Sequence, residues 1–211
     1  LANDARIALR IAGDDLPVQL TRSRLSMQAA LRSRMATRPP KRAGLVASAG
    51  ARRLRAEGLG GLLWHQDEDA VASWFLETWP DIRSADALEV AATEFGAQGL
   101  ELDHVGLCWD ADLVRTHDDA TWQARSFRAT AWTVPKDPEI LSNRLNTYRV
   151  LMTRARHSTV IWVPRGAPSD TTRDPARYDL VAAYLQACGA RPLDAAVTTP
   201  EDATMPGPSL L

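Results

Sequence analysis

The 211-residue chain is poor in lysine, with Lys41 and Lys136 its only two, and neither stands in the G-x-x-x-x-G-K-(S/T) setting of a phosphate-binding P-loop. A complete nucleotide triphosphatase core is thereby excluded. It has only two cysteines, Cys108 and Cys188, with no C-x-x-C and no histidine pair at ligand spacing, which argues against a disulfide framework and against a zinc site. A reducing, cytoplasmic setting is the expectation. No apolar run approaches the roughly 18–20 residues of a membrane helix, and LANDARIALR carries charge where a signal peptide needs an apolar region. Net charge is also lacking: 25 basic and 26 acidic residues leave −1.

What is present is sharply distributed. Ten basic residues occupy Arg22 to Arg55 (Arg22, Arg24, Arg32, Arg34, Arg38, Lys41, Arg42, Arg52, Arg53 and Arg55) with no acid among them, whereas Asp67 to Asp103 is acidic with Arg83 as its only base. Two opposed charged surfaces are one reading of this, and the basic one would suit phosphates. With 45% apolar residues the chain can bury one sizeable core.

Periodicity and breakers predict helices over about 3–12, 22–36, 51–57, 67–78, 142–156 and 174–187, and strands over 44–48, 87–92, 104–109 and 158–164. Residues 111–141 read as a polar insertion in which 126–134 forms a hairpin arm. Residues 1–190 read as one domain and 191–211 as a mobile tail. Short apolar strands alternating with helices define an α/β class with a mostly parallel sheet flanked by helices, which places chemistry at strand ends.

Two segments carry that chemistry. In Thr93-Glu94-Phe95-Gly96-Ala97-Gln98-Gly99-Leu100-Glu101, a hydroxyl, two glycines and free backbone N–H groups suit an anion; a polar turn with a left-handed glycine is the plainer alternative. In Tyr148 to Arg156, several guanidiniums lie near the expected helix C-terminus. Arginine is always charged and suits a phosphate that gains charge in a transition state, although favourable placement at a helix C-terminus also explains Arg154 and Arg156. Among the tryptophans, Trp74, Trp79 and Trp162 read as core, while Trp122 and Trp132, near Arg125 and Arg128, are the candidates for stacking on bases. HVGLCWDAD offers a strand ending in Asp110, a weak signal for a metal-binding acid. His65, His104, His117 and His157 have no spacing for a triad or a metal.

TEFGAQGLELDHV resembles motif V of superfamily 1 helicases through Thr93, Gln98, Gly99, Leu100 and Glu101, with Phe95 where that motif carries histidine. NTYRVLMTRARHSTVIWVP resembles motif VI through Tyr148, Thr153, Arg154 and Ala155. The pair is similar to the C-terminal half of the helicase domain of the Schlafen group 3 family, from about Ala87 to Gly166 and more loosely back to about Leu20. The resemblance implies a second RecA-like domain of the P-loop NTPase fold, without its own P-loop, in an ATP-dependent DNA/RNA helicase or translocase.

On that resemblance Arg154 is the arginine finger and Arg24, or Arg22, the arginine of motif IV. Gly99, Glu101 and Arg154 face the nucleotide, with Glu101 toward the ribose. Thr93 and Gln98 contact nucleic acid. ATP and Mg²⁺ are held mainly by the first RecA-like domain of the same polypeptide, this chain being a C-terminal portion, and the track is a single strand of DNA or RNA. A catalytically silent nucleic-acid-binding or regulatory module, and a small-molecule phosphate-handling enzyme on the same sheet, are the alternatives.

Overall fold

The computed structural model describes residues 18–64, 67–118 and 121–193. The helix expected at about 3–12, His65 and the tail beyond Leu193 lie outside the described residues.

Seven parallel strands make the sheet: β1 (Val18–Thr21), β2 (Ala43–Ala47), β3 (Gly61–Leu63), β4 (Val90–Thr93), β5 (Leu102–Cys108), β10 (Ala155–Trp162) and β11 (Arg191–Pro192), in the order β11-β1-β10-β5-β2-β4-β3. The intervening β6 (Leu113–Arg115) and β7 (Trp122–Ala124) pair antiparallel, as do β8 (Ser126–Arg128) and β9 (Ala131–Thr133). The described residues also form four α-helices: α1 (Arg24–Met35), α2 (Glu68–Leu76), α3 (Pro138–Met152) and α4 (Pro175–Ala187). The mostly parallel, helix-flanked α/β class read from the alternating pattern is the one observed.

Each helix starts where a short polar side chain satisfies a free N–H. Ser23 accepts from the Ser26 amide, Asp67 from Ala70, Asp137 from Glu139 and Asp174 from Ala176. Asp137 is followed by Pro138 at the first helical position, which sets the start of α3 four residues earlier than periodicity places it. The same helix ends at Met152, so Arg154 and Arg156 are not helical. Arg154 bridges helix and strand, and Arg156 lies in β10. Placement at a helix C-terminus therefore does not account for Arg156, whereas Arg154 directly follows the helix cap Thr153.

Three further expectations change. Residues 51–57 form only a 3₁₀ turn (Leu54–Glu57), closed by Gly58 in the left-handed region. The strand expected at 87–92 starts at Val90, because Ala85–Ala87 is a 3₁₀ turn and Leu88 takes φ 60°, while its carbonyl accepts from buried Gln28. The tail expected from 191 begins as sheet, since Gln19 pairs with Arg191 and Leu20 with Pro192.

The core lies on both faces of the sheet. One face buries Trp74, Leu102, Val105, Leu107, Tyr148, Leu151 and Ile161 with α4 residues Tyr178, Val181 and Leu185. The other buries Met27 and Leu31 of α1 against Leu45, Cys108, Val160 and Trp162. Gly106 permits that second contact: a Cβ there would stand 2.6 Å from Leu45 Cδ2 and 2.9 Å from Leu31 Cδ1. Trp74 and Trp162 are core as read, but Trp79 is 64% exposed. It follows the end of α2 and lies beyond the sheet, so no layer covers it. Among the described residues no helix is long and apolar enough to cross a membrane.

Candidate functional site

Among the described residues the two charge blocks of the sequence touch through two ion pairs, Arg42 with Asp86 and Lys41 with Asp103. Arg42 binds Asp86 at 2.9 Å and Lys41 lies 3.9 Å from Asp103, so basic residues preceding β2 or at its start meet acids of the acidic block. Arg22 binds Asp179 at 2.6 Å and donates to the Val163 and Pro164 carbonyls, Arg34 donates to Ser158 and Gln19, and Arg53 binds Asp170 at 2.8 Å. The exposed arginines Arg32, Arg38, Arg52 and Arg55 form no ion pair among the described residues.

The motif segments meet at the N-terminal ends of β5 and β10. The Leu102 amide donates to the Arg154 carbonyl at 3.2 Å, and Ala155 pairs with Leu102, which sets Glu101 and Arg154 side by side. Glu101 binds Arg156 at 3.1 Å. Arg154 keeps a buried Nε without a hydrogen-bond partner among the described residues. Arg53 and Arg144 keep a buried, unpartnered Nε as well, so what sets Arg154 apart is its place beside Glu101 and the Gly99 turn. Gly99 precedes this pair at φ 75°, a left-handed turn with nothing within 4 Å of where a Cβ would stand, as its place in the motif requires. Gln98 beside it is exposed.

Other motif residues lie elsewhere. Thr93 is fully buried: its hydroxyl donates to the Leu63 carbonyl at 2.9 Å and accepts from the Gly96 amide at 3.2 Å, so it shapes the turn. Arg24 starts α1 beside Gly58 on the opposite face of the sheet. Arg22, the other candidate, binds Asp179.

The tryptophans nominated for stacking are packed. Trp122 stacks on Trp109 at 5.8 Å and meets Tyr184 edge-on at 5.2 Å, with Arg115 over its ring. Trp132 donates its Nε1–H to the Thr172 carbonyl at 2.7 Å and contacts Phe127 edge-on at 5.1 Å. Both rings are half-buried.

At the C-terminal strand ends lies a cleft of about 380 Å³, where the turn after β2, the turn after β4, the β8–β9 hairpin and α3 converge. Glu94 is held at its edge by the Ala49 amide at 2.7 Å and, more weakly, by the Thr147 hydroxyl at 3.4 Å. Arg144 donates to the Ser48 hydroxyl, and its Nη1 lies 2.9 Å from Oδ2 of fully buried Asp112. Tyr148 links this group to the strand: its hydroxyl donates to Asp112 at 2.6 Å and accepts from the Asp110 amide at 3.3 Å. Asp110 is buried with the Tyr178 hydroxyl at 2.8 Å and the Arg53 amide at 2.7 Å. Burial, then the nearby Asp112 charge, pushes its carboxyl up to about 6. Asp110 is thus a structural acid with its oxygens engaged. Among the described residues no cluster of three or more His, Cys, Asp or Glu side chains could hold a metal.

Sequence reasoning missed Glu94, Phe127, Arg144 and Asp112. Glu94 lay inside the motif V segment, one residue past Thr93, and Tyr148 inside motif VI; the others needed the three-dimensional convergence of α3 and the hairpin.

The described residues form a mostly parallel, helix-flanked α/β sheet in which the turn after β4 and the end of α3 bring Glu101 and Arg154 to neighbouring strand starts. Residues 2–165 match the family described as Schlafen group 3, DNA/RNA helicase domain, and the chain belongs to that family. Among solved structures, the C-terminal domain of a possible DNA helicase from Lactobacillus plantarum WCFS1 is similar at 15% identity, with a TM-score of 0.34, covering 83% of this chain and 91% of that one. No curated protein matches the chain.

Proposed function

We propose that this chain is the C-terminal motor domain of an ATP-dependent DNA or RNA helicase or translocase, working against a P-loop domain of the same polypeptide. The observation that carries the reading is Arg154, whose guanidinium holds an unpartnered buried Nε beside Glu101 at the edge where motifs V and VI meet. MgATP, bound chiefly by that other domain, supplies the scissile phosphoanhydride. Arg154 contributes a permanent positive charge and a planar set of donors where negative charge builds on a transferred phosphoryl group. Glu101 accepts from a hydroxyl such as that of a ribose, and Arg156 restrains it. Gln98 and the exposed Gly99 turn present polar groups to the strand of nucleic acid, while buried Thr93 holds that turn in shape.

The test joins this chain to the P-loop domain of its polypeptide and measures ATP turnover with and without single strands. Stimulated turnover by the joined protein, none by this chain alone, is the expected result. Turnover by this chain alone refutes the division of labour. Salt-sensitive strand binding that is indifferent to nucleotide, without stimulated turnover, makes the chain a silent binding module instead.

A further inference from the structure

We propose that the cleft at the C-terminal strand ends is a single-nucleobase subsite that favours guanine over thymine or uracil, with Glu94 as the discriminating group. The inference rests on the reading of the chain as a nucleic-acid-binding motor half and adds a base preference to it.

The charge of the cleft argues for a base rather than a phosphate. Arg144 is the guanidinium deepest in the lining, but Asp112 and the Ser48 hydroxyl already engage it. Arg52, the other cation, is exposed and lies over the Trp64 ring at 5.0 Å. Glu94 adds a carboxylate that would repel a phosphate placed beside it. The interior therefore carries no unpaired cation, and Arg52 stands at the exposed side where a backbone phosphate of a threaded strand would pass.

Shape points the same way. Phe95 and Phe127 both line the cleft, Phe95 with 47% of its surface exposed. Phe127 is half-buried and steadied by Arg53, whose guanidinium lies 5.4 Å from its ring centroid. Aromatic faces bind bases of any kind, by about 1–3 kcal/mol each. A volume near 380 Å³ is at the small end of ligand pockets, roughly 300–1,000 Å³, and suits one base.

Preference comes from Glu94. An ionised carboxylate only accepts, with about four lone-pair directions, of which the Ala49 amide and the Thr147 hydroxyl use two. Guanine presents adjacent N1–H and N2–H donors on its Watson–Crick edge and can satisfy the remainder in a forked pair. Thymine and uracil place a single N–H between two carbonyls, which the carboxylate repels. Asn143, also in the lining, has donors for the guanine O6.

The experiment measures fluorescence anisotropy of labelled single strands of one length binding the 211-residue chain: all-thymine, alternating thymine and guanine, and fully abasic, in deoxyribose form and, with uracil for thymine, in ribose form. Guanine-bearing strands are expected to bind about fivefold tighter than all-thymine or all-uracil ones. Glu94→Gln keeps an acceptor for Ala49 and is expected to erase the preference. Phe127→Ala, on a hairpin outside the sheet, is expected to weaken base-bearing strands and spare abasic ones, with circular dichroism unchanged. Salt-sensitive binding equal for all base-bearing strands overturns the subsite while leaving the motor reading intact. A guanine preference that survives Glu94→Gln also overturns it. Absence of binding to every strand overturns both readings.

Discussion

Removing one hydroxyl from the middle of α3 tests whether the Asp110–Asp112 network supports the end of the sheet where the cleft lies. Tyr148→Phe keeps the ring and its 4.0 Å stack on Trp109, so only the hydroxyl is lost. That hydroxyl donates to Asp112 at 2.6 Å, a charge-assisted bond of roughly 1.5–3 kcal/mol, and accepts from the Asp110 amide, whose unpaired burial costs roughly 1–3 kcal/mol. The two losses overlap, and the expected cost is about 2–4 kcal/mol, or about 5–15 °C in Tm for a domain of this size. Tyr178→Phe is the matched comparison, since it removes one bond to Asp110 from an oxygen that also accepts from the Ala111 amide. Its expected cost is about 1–1.5 kcal/mol. Urea denaturation followed by tryptophan fluorescence reads both. A Tyr148→Phe variant within about 0.5 kcal/mol of the parent, or a Tyr178→Phe variant that loses more, would refute the network as described.

Other consequences follow from the same geometry. Asp110 has its pKa raised to about 6 from 3.8, so its protonated form favours the fold; that contribution is complete below about 3.8 and is lost as pH rises through 6. Asp110→Asn does not titrate, and its stability relative to the parent is expected to improve from about pH 4 to pH 6, by up to about 1.4 kcal/mol per pH unit, and to level off above that; a pH-independent difference would contradict the assignment. Gly106→Ala is expected to cost about 1–3 kcal/mol by crowding Leu31, Met27 and Leu45, measured by thermal melting, and an unchanged Tm would show that α1 packs less closely than the distances state.

Where local chemistry decides the backbone, the elements were legible from the residues. α1 runs from its Ser23 cap to the residues before Pro39-Pro40, α4 follows Asp174-Pro175, and β2 is an unbroken apolar run. The start of α3 was also written in Asp137-Pro138, a capping signal that outweighs the periodicity further along. Strand β3 was not legible, because three half-buried residues at a sheet edge carry no alternation.

Within the site, Gly99, Glu101 and Arg154 were recognisable by motif, and the structure brings Glu101 and Arg154 together. Arg24 was nominated by a loose resemblance to motif IV and Trp122 and Trp132 by residue type and neighbouring arginines, none of which reveals which partner claims a side chain. Trp122 belongs to Trp109 and Tyr184, and Arg24 to the far side of the sheet. Contacts between the charge blocks were not legible for the same reason: Arg42 and Asp86 are distant in sequence and adjacent in space.

Single-turnover ATP hydrolysis by the protein containing both motor domains, with single strands at saturation, tests the role of Arg154 most directly when Arg154→Ala is compared with Arg156→Ala. Arg154→Ala is expected to lower the hydrolysis rate by about 10³-fold or more while strand binding persists, and Arg156→Ala, which only releases Glu101, by far less. Hydrolysis by Arg154→Ala at close to the parent rate would contradict the account.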